Sequence, residues 1–236
     1  MTEPILSLSS VHTYIEQHHI LQGVSLEIQT GQPTVLLGRN GSGKTSTLRA
    51  IMGLNPVTSG EITFNGAAIH KMKPYDIARL GIGFVAEEKA VFFNLTVEEN
   101  IRLSILTDHH QSAPLLDQSL ELFPDLKKFW KRKAGLLSGG QKQMLAIARA
   151  MVSDHKMILI DEPSKGLAPI VVEQLAETLL QIKDKTTIIL VEQNVFLAGK
   201  VGEQCFILDD GRVVHSGLMA DLENDQALKK KYLGLG

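Results

Sequence analysis

The stretch Gly38-Arg39-Asn40-Gly41-Ser42-Gly43-Lys44-Thr45 has the residue types and spacing to hold a phosphate. Glycines at 41 and 43 free the backbone to wrap an anion with its N–H groups turned inward. A helix start at Thr45 and Ser46 adds partial positive charge, and Lys44 brings a full charge for the β- and γ-phosphates of a nucleotide such as ATP. Thr45 also offers a hydroxyl to Mg²⁺. The stretch follows the apolar run Thr34 to Leu37 and opens a helical segment, the strand-to-helix setting that the G-x-x-x-x-G-K-[ST] pattern requires. A plain glycine-rich turn is the competing reading, but composition alone yields this pattern in on the order of 1% of chains of this length.

A second chemical element is Met157-Ile158-Leu159-Ile160-Asp161-Glu162-Pro163, an apolar run ending in two carboxylates. Ligands of open α/β sheets bind at the C-terminal ends of strands. Side chains alternate along a strand, so Asp161 can serve a Mg²⁺ shell through water while Glu162 orients or deprotonates an attacking water. The competing reading is an acidic turn ahead of Pro163. Between these two elements lies Leu137-Ser138-Gly139-Gly140-Gln141, in which Ser138 and Gln141 have capping-box spacing and two glycines leave a helix start open to a phosphate.

Positioning these residues takes a sheet. Unbroken short apolar runs at 35–37, 81–85, 158–160 and 188–191 read as strands covered on both faces, and they alternate with helical stretches at 45–52, 138–152 and 170–182. The fold class is α/β with a mainly parallel sheet. Alternating segments at 24–28, 61–64 and 212–215 suggest a smaller antiparallel sheet with one face in water. From Thr96 to Gly135 the strand signal disappears, and Thr96-Val97-Glu98-Glu99 forms a capping box. A helical subdomain at about 96–152, inserted in a single domain of 236 residues, is the expectation, with the polar run Thr107 to Pro114 as a surface loop.

Bulk properties narrow the classes. Hydrophobic residues make up 44% of the chain and charged residues 21%, enough to bury a sizeable core. A net charge of -2 and a pI near 6.4 argue against nucleic acid as a partner. Lys127 to Lys133 is basic with two aromatics, and reads as a solvated helical face. His18, His19, His109 and His110 lack a second set of ligands at metal spacing. Cys205 is the one cysteine, the first residues carry no export signal, and no apolar run reaches the ~20 residues of a membrane span, so a cytoplasmic setting is expected.

The ordered set of the phosphate loop, Leu-Ser-Gly-Gly-Gln and the Asp-Glu strand end resembles the ABC ATPase superfamily, a P-loop NTPase fold, over nearly the whole chain. The resemblance implies a head-to-tail pair in which Ser138 and Gly140 of one subunit close on the γ-phosphate held by the loop of another. It places Tyr14 as an adenine-stacking aromatic, against the alternative of a half-buried strand tyrosine. It also places Glu87, where glutamine is usual, as a γ-phosphate and Mg²⁺ sensor facing the membrane subunits, and Gln193, where histidine is usual, as the switch residue. Gly166-Leu167-Ala168-Pro169 replaces the common Ala-Leu-Asp at the dimer interface.

These departures, with Leu-Thr-Val-Glu-Glu-Asn and the closing Tyr232-Leu233-Gly234, are similar to the smaller ATPase of branched-chain amino-acid, urea and short-amide importers. Ala86 and Glu88 depart from that subgroup, where proline and glycine are usual. The implied partners are ATP, Mg²⁺, a second ABC ATPase, integral permease subunits and, indirectly, a periplasmic or extracellular binding protein. The chain would sit peripherally on the inner membrane face. The alternatives are the ATPase of an exporter or lipid-extracting system, which shares these motifs, and a soluble non-transport ABC protein, which usually joins two cassettes in one chain.

Overall fold

The computed structural model describes residues 3–88, 91–105 and 109–234. In chain order the elements are β1 (Leu6–Ile15), β2 (His18–Ile28), β3 (Thr34–Leu37), α1 (Lys44–Ile51), β4 (Ser59–Phe64), β5 (Ala67–Ala68), α2 (Pro74–Arg79), β6 (Ile82–Val85) and α3 (Val97–Arg102). There follow α4 (His109–Leu122), α5 (Pro124–Lys128), α6 (Gly139–Met151), β7 (Met157–Asp161), α7 (Pro169–Ile182), β8 (Thr187–Val191), α8 (Val195–Val201), β9 (Gln204–Asp209), β10 (Arg212–Leu218) and α9 (Met219–Asn224).

Two sheets form. The larger has the order β10-β9-β3-β8-β7-β6, parallel throughout except for the antiparallel edge strand β10. Every residue of β3, β7 and β8 is buried, which explains why these strands read as continuous apolar runs. Alternate side chains enter two cores: Val35, Leu37, Ile158 and Ile160 face α6, α7 and α8, while Leu36, Leu159, Ile189 and Val191 face α1 and the smaller sheet. That smaller sheet is antiparallel in the order β2-β1-β4-β5.

Two expectations are corrected. Residues 212–215 do not belong to the small sheet. They lie in β10, which pairs with β9 at the edge of the large one, and their alternating exposure marks a strand with one solvated face whichever sheet it joins. The β9–β10 turn is nevertheless tied to the small sheet, since Gln22 N donates to Gly211 O (2.8 Å) and Arg212 Nη2 donates to Gln22 Oε1 (3.0 Å). The second correction concerns the polar run 107–114. Its residues 109–114 form the start of α4, with Pro114 inside the helix, while 107 and 108 lie outside the described residues. The helix is held by its later apolar positions, Leu120 being buried, so the polar beginning follows an anchored end.

From 96 to 135 the described residues contain helices and no strand, apart from one bridge between Thr96 and Lys133. Thr96 caps α3 as a full capping box, accepting from Glu99 N (3.2 Å) while its own N–H donates to Glu99 Oε2 (2.7 Å). The buried amide of Asn100 fastens the helix to the chain before it, bonding the backbone of Phe92, Leu95 and Thr96.

Candidate functional site

Register decides what meets at the sheet edge. Asp161, the last residue of β7, lies opposite Val191, the last of β8, and Leu36 of β3 lies opposite Val191 on its other side. The loops leaving three adjacent parallel strands therefore emerge together at the C-terminal edge, carrying 38–44, 162–164 and 192–194. Gly41 to Thr45, Ser46, Glu87, Glu162 and Lys165 line one cavity of about 300 Å³.

The loop after β3 depends on its glycines. Gly38 has φ of 146°, and a Cβ there would come 2.2 Å from Leu208 O. Gly43, with φ of 103°, is the N-cap of α1 and makes no side-chain cap bond, so the first N–H groups of the helix lack a capping acceptor. The Ser42 hydroxyl is buried with no partner among the described residues. An uncapped helix start beside an unbonded hydroxyl fits a phosphate group. Lys44, 4% exposed, folds back so that Nζ donates to Gly38 O (2.9 Å) and Arg39 O (3.1 Å), with Glu162 Oε1 at 3.7 Å. Burial lowers its pKa, and Glu162 and Asp161 oppose that shift.

At the end of β7, Asp161 Oδ1 accepts the Thr45 hydroxyl (3.0 Å). Burial raises the Asp161 pKa to about 6, against the Thr45 hydrogen bond. Two hard oxygen donors at this distance fit Mg²⁺, which keeps several waters and takes few protein ligands. No group of three or more His, Cys, Asp or Glu that could hold a metal ion gathers among the described residues.

Glu162 adopts φ of 41°, a left-handed conformation costing about 1–3 kcal/mol in a non-glycine residue. Its N–H is held by Val191 O (2.9 Å), which keeps the strained residue at the strand end. Glu162 Oε1 accepts Gln193 Nε2 at 2.7 Å, and the same amide donates to Asn40 Oδ1. Gln193 thus joins the phosphate loop to the carboxylate across the cleft.

Sequence reasoning assigned no role to Glu192, which organises this junction. Its buried carboxylate accepts Ser164 N and Oγ (both 2.9 Å), Gln193 N (3.1 Å) and Asn194 N (3.1 Å). Burial raises its pKa while these hydrogen bonds act in the other direction. The available signal was a charged residue following a wholly buried strand, a position that demands partners. Lys165 was also missed: its Nζ lies 2.5 Å from Glu87 Oε1 and 3.8 Å from Glu162 Oε2.

The remaining predicted residues lie at the margins. Tyr14, 42% exposed, stacks on His19 (centroids 4.2 Å apart, planes 5°), and the next residue, Ile20, lines the cavity. Ser138 and Gly140 line a different cleft, between α5, α6 and α7. Ser138 accepts Gln141 N (3.2 Å) and donates its N–H to Gln141 Oε1 (2.9 Å), so the capping box is closed. A Cβ on Gly140 would lie 2.8 Å from Val171 Cγ1, which gives this glycine a packing role beside α7.

A phosphate-ready loop, a paired hydroxyl and carboxylate, and a second carboxylate at one sheet edge are the parts of a nucleotide hydrolase. The ABC transporter family profile matches residues 21–165. The chain belongs to the ABC transporter family. It is 38% identical over 232 residues to the high-affinity branched-chain amino acid transport ATP-binding protein BraG of Pseudomonas aeruginosa, covering 98% of this chain and 100% of that one. It is 39% identical over 220 residues to the probable branched-chain amino acid transport ATP-binding protein LivF of Archaeoglobus fulgidus, covering 92% and 93%. The fold matches that of the ATP-binding cassette MJ0796, solved as a dimer in a post-hydrolysis state with ADP and Pi, at TM-score 0.81 and 26% identity, covering 91% of this chain and 98% of that one. This ABC protein is an ATP-binding, ATP-hydrolysing transport subunit, as its α/β architecture and its relatives agree.

Proposed function

We propose that this subunit powers the import of branched-chain amino acids or related small amides. The observation that carries the catalytic part is the convergence of Lys44, Thr45, Asp161, Glu162 and Gln193 at one sheet edge. The two relatives named for branched-chain amino acid transport, alike over almost the whole chain, support the cargo class.

In this reading residues 1–236 form one nucleotide-binding domain with a helical subdomain at about 96–152. Gly38 to Ser46 cradle the phosphates. Lys44 leaves its two carbonyl partners for the β- and γ-phosphate oxygens, and Tyr14 gives adenine its exposed ring face. Thr45 and Asp161 would hold Mg²⁺, with Glu87 as a further carboxylate lining the same cavity. The ion would offset phosphate charge. Glu162 takes a proton from water as the water oxygen bonds to the γ-phosphorus and the bond to the β-γ bridging oxygen breaks, leaving ADP and phosphate. Gln193 orients Glu162 and can donate to the γ-phosphate.

In this reading Ser138 and Gly140, which line a separate cleft, act on the nucleotide of a second ATPase subunit as the family resemblance implies, and the pair works beneath permease subunits at the inner membrane face. Uptake of labelled leucine, isoleucine and valine by cells lacking this gene tests the cargo. Uptake falls to background and returns with the wild-type chain but not with Lys44→Ala. Undiminished uptake of all three would contradict it.

A further inference from the structure

The loop after β6 and the loop after β7 are joined through Lys165, a residue that the reaction described above does not use. Lys165 Nζ contacts Glu87 Oε1 at 2.5 Å and lies 3.8 Å from Glu162 Oε2, and all three residues line the cavity of the phosphate loop. Glu87 and Lys165 are 78 positions apart, so the contact is made by the fold and not by local chain geometry. We infer that Lys165 is a positioning residue of the hydrolytic site, neutralising Glu87 and restraining Glu162 so that the loop of residues 86–88 and the attacking carboxylate move as one unit. This rests on the site assigned under the proposed function.

The physical case is one of charge balance. Asp161, Glu162 and Glu87 converge where a polyanionic nucleotide must enter, with Glu192 beneath them. Lys44 is committed to the phosphates. Glu87 adds a negative charge at the rim beyond those of Asp161 and Glu162, more than a divalent ion shared with the phosphates offsets, and the excess repels the nucleotide it faces. Lys165 removes that repulsion. Its side chain is 60% exposed and its Glu87 partner 36%, so the pair adds little to folding, and its effect is concentrated on events inside the cleft. The same ammonium faces Glu162, whose other oxygen is held by Gln193. Lys165 and Gln193 therefore hold the carboxylate from two sides. A shift of residues 86–88 pulls Glu87, then Lys165, and so alters the restraint on Glu162.

A double-mutant cycle on the full-length chain tests this, with fluorescent-nucleotide binding and steady-state hydrolysis read on Lys165→Met, Glu87→Gln and the double variant. Lys165→Met leaves Glu87 uncompensated, so nucleotide Kd and KM for ATP rise about fivefold or more. Glu87→Gln removes the nearer of the two carboxylates facing Lys165 and draws the ammonium closer to Glu162, so kcat falls. The double variant, neutral at both positions, recovers at least half of the binding and KM loss of Lys165→Met, and Lys165→Arg stays near wild type throughout. A double variant as weak in binding as Lys165→Met, or Lys165→Met with unchanged Kd and KM, overturns the inference. Glu162→Gln run alongside separates the two levels: if it hydrolyses normally the site itself is misassigned, whereas an inactive Glu162→Gln with an additive cycle rejects only the role of Lys165.

Discussion

Two helix starts in this molecule contain glycine at or next to the cap, and they are built in opposite ways. At α1 the cap is Gly43, no side chain satisfies the first N–H groups, Ser42 Oγ has no partner among the described residues, and the nearest cation is folded onto its own loop. At α6 the cap is Ser138, the capping box is closed, and Gly140 serves the approach of Val171. The first is an anion site in waiting. The second is a finished, self-satisfied structure that can present groups to a nucleotide but has little of its own left to be completed by one. The difference fits the proposal that phosphate binding lies at 38–46 and that 138–140 serves a second subunit.

The largest effect falls at Lys44. Lys44→Ala removes the one buried cation of the loop, and nucleotide affinity falls by about a hundredfold in calorimetry with Mg-ATP. Unaltered affinity would make the open helix start insufficient as an explanation.

Asp161 sharpens the contrast through pH. Its folded pKa of about 6 lies above its ordinary value of 3.8, so its contribution to stability is fully present below that lower value and is lost as pH rises through 6. Above pH 6 the chain carries a buried carboxylate at a cost of about 2–3 kcal/mol. Asp161→Asn should therefore melt like wild type at acid pH and above it at pH 7.5 in nucleotide-free buffer, the gap opening between about pH 4 and 6. A gap independent of pH would remove the burial argument.

The smaller effects fall at α6. Ser138→Ala loses the cap and costs about 1 kcal/mol in chemical denaturation, without changing nucleotide affinity of the monomer. Gly140→Ala should fail to gain the roughly 1 kcal/mol that alanine ordinarily adds to a helix, because the new methyl meets the stiff side chain of Val171. A clear stabilisation there would mean that Gly140 is not kept for packing.

Much of this was legible in residue order. Buried parallel strands announce themselves as unbroken apolar runs, so β3, β7 and β8 and the loops they launch could be placed, and local capping rules located the starts of α3 and α6. Alternation failed for β10 because period two reports a solvated face and not a strand's neighbours. It failed for 109–114 because a polar helix start anchored by later residues has no apolar stripe. The roles of Glu192 and Lys165 depend on contacts 28 and 78 positions away, which only the assembled sheet edge supplies.

In the proposed mechanism one sheet edge binds ATP through the loop at 38–46 and hydrolyses it through Glu162. Glu162→Gln keeps shape and hydrogen bonding but cannot take a proton from water. Nucleotide binding and turnover should be measured on the same preparation of this variant. Wild-type affinity is expected, with turnover reduced by about 10²–10⁴-fold. Turnover within a few-fold of wild type, at unchanged affinity, would contradict it.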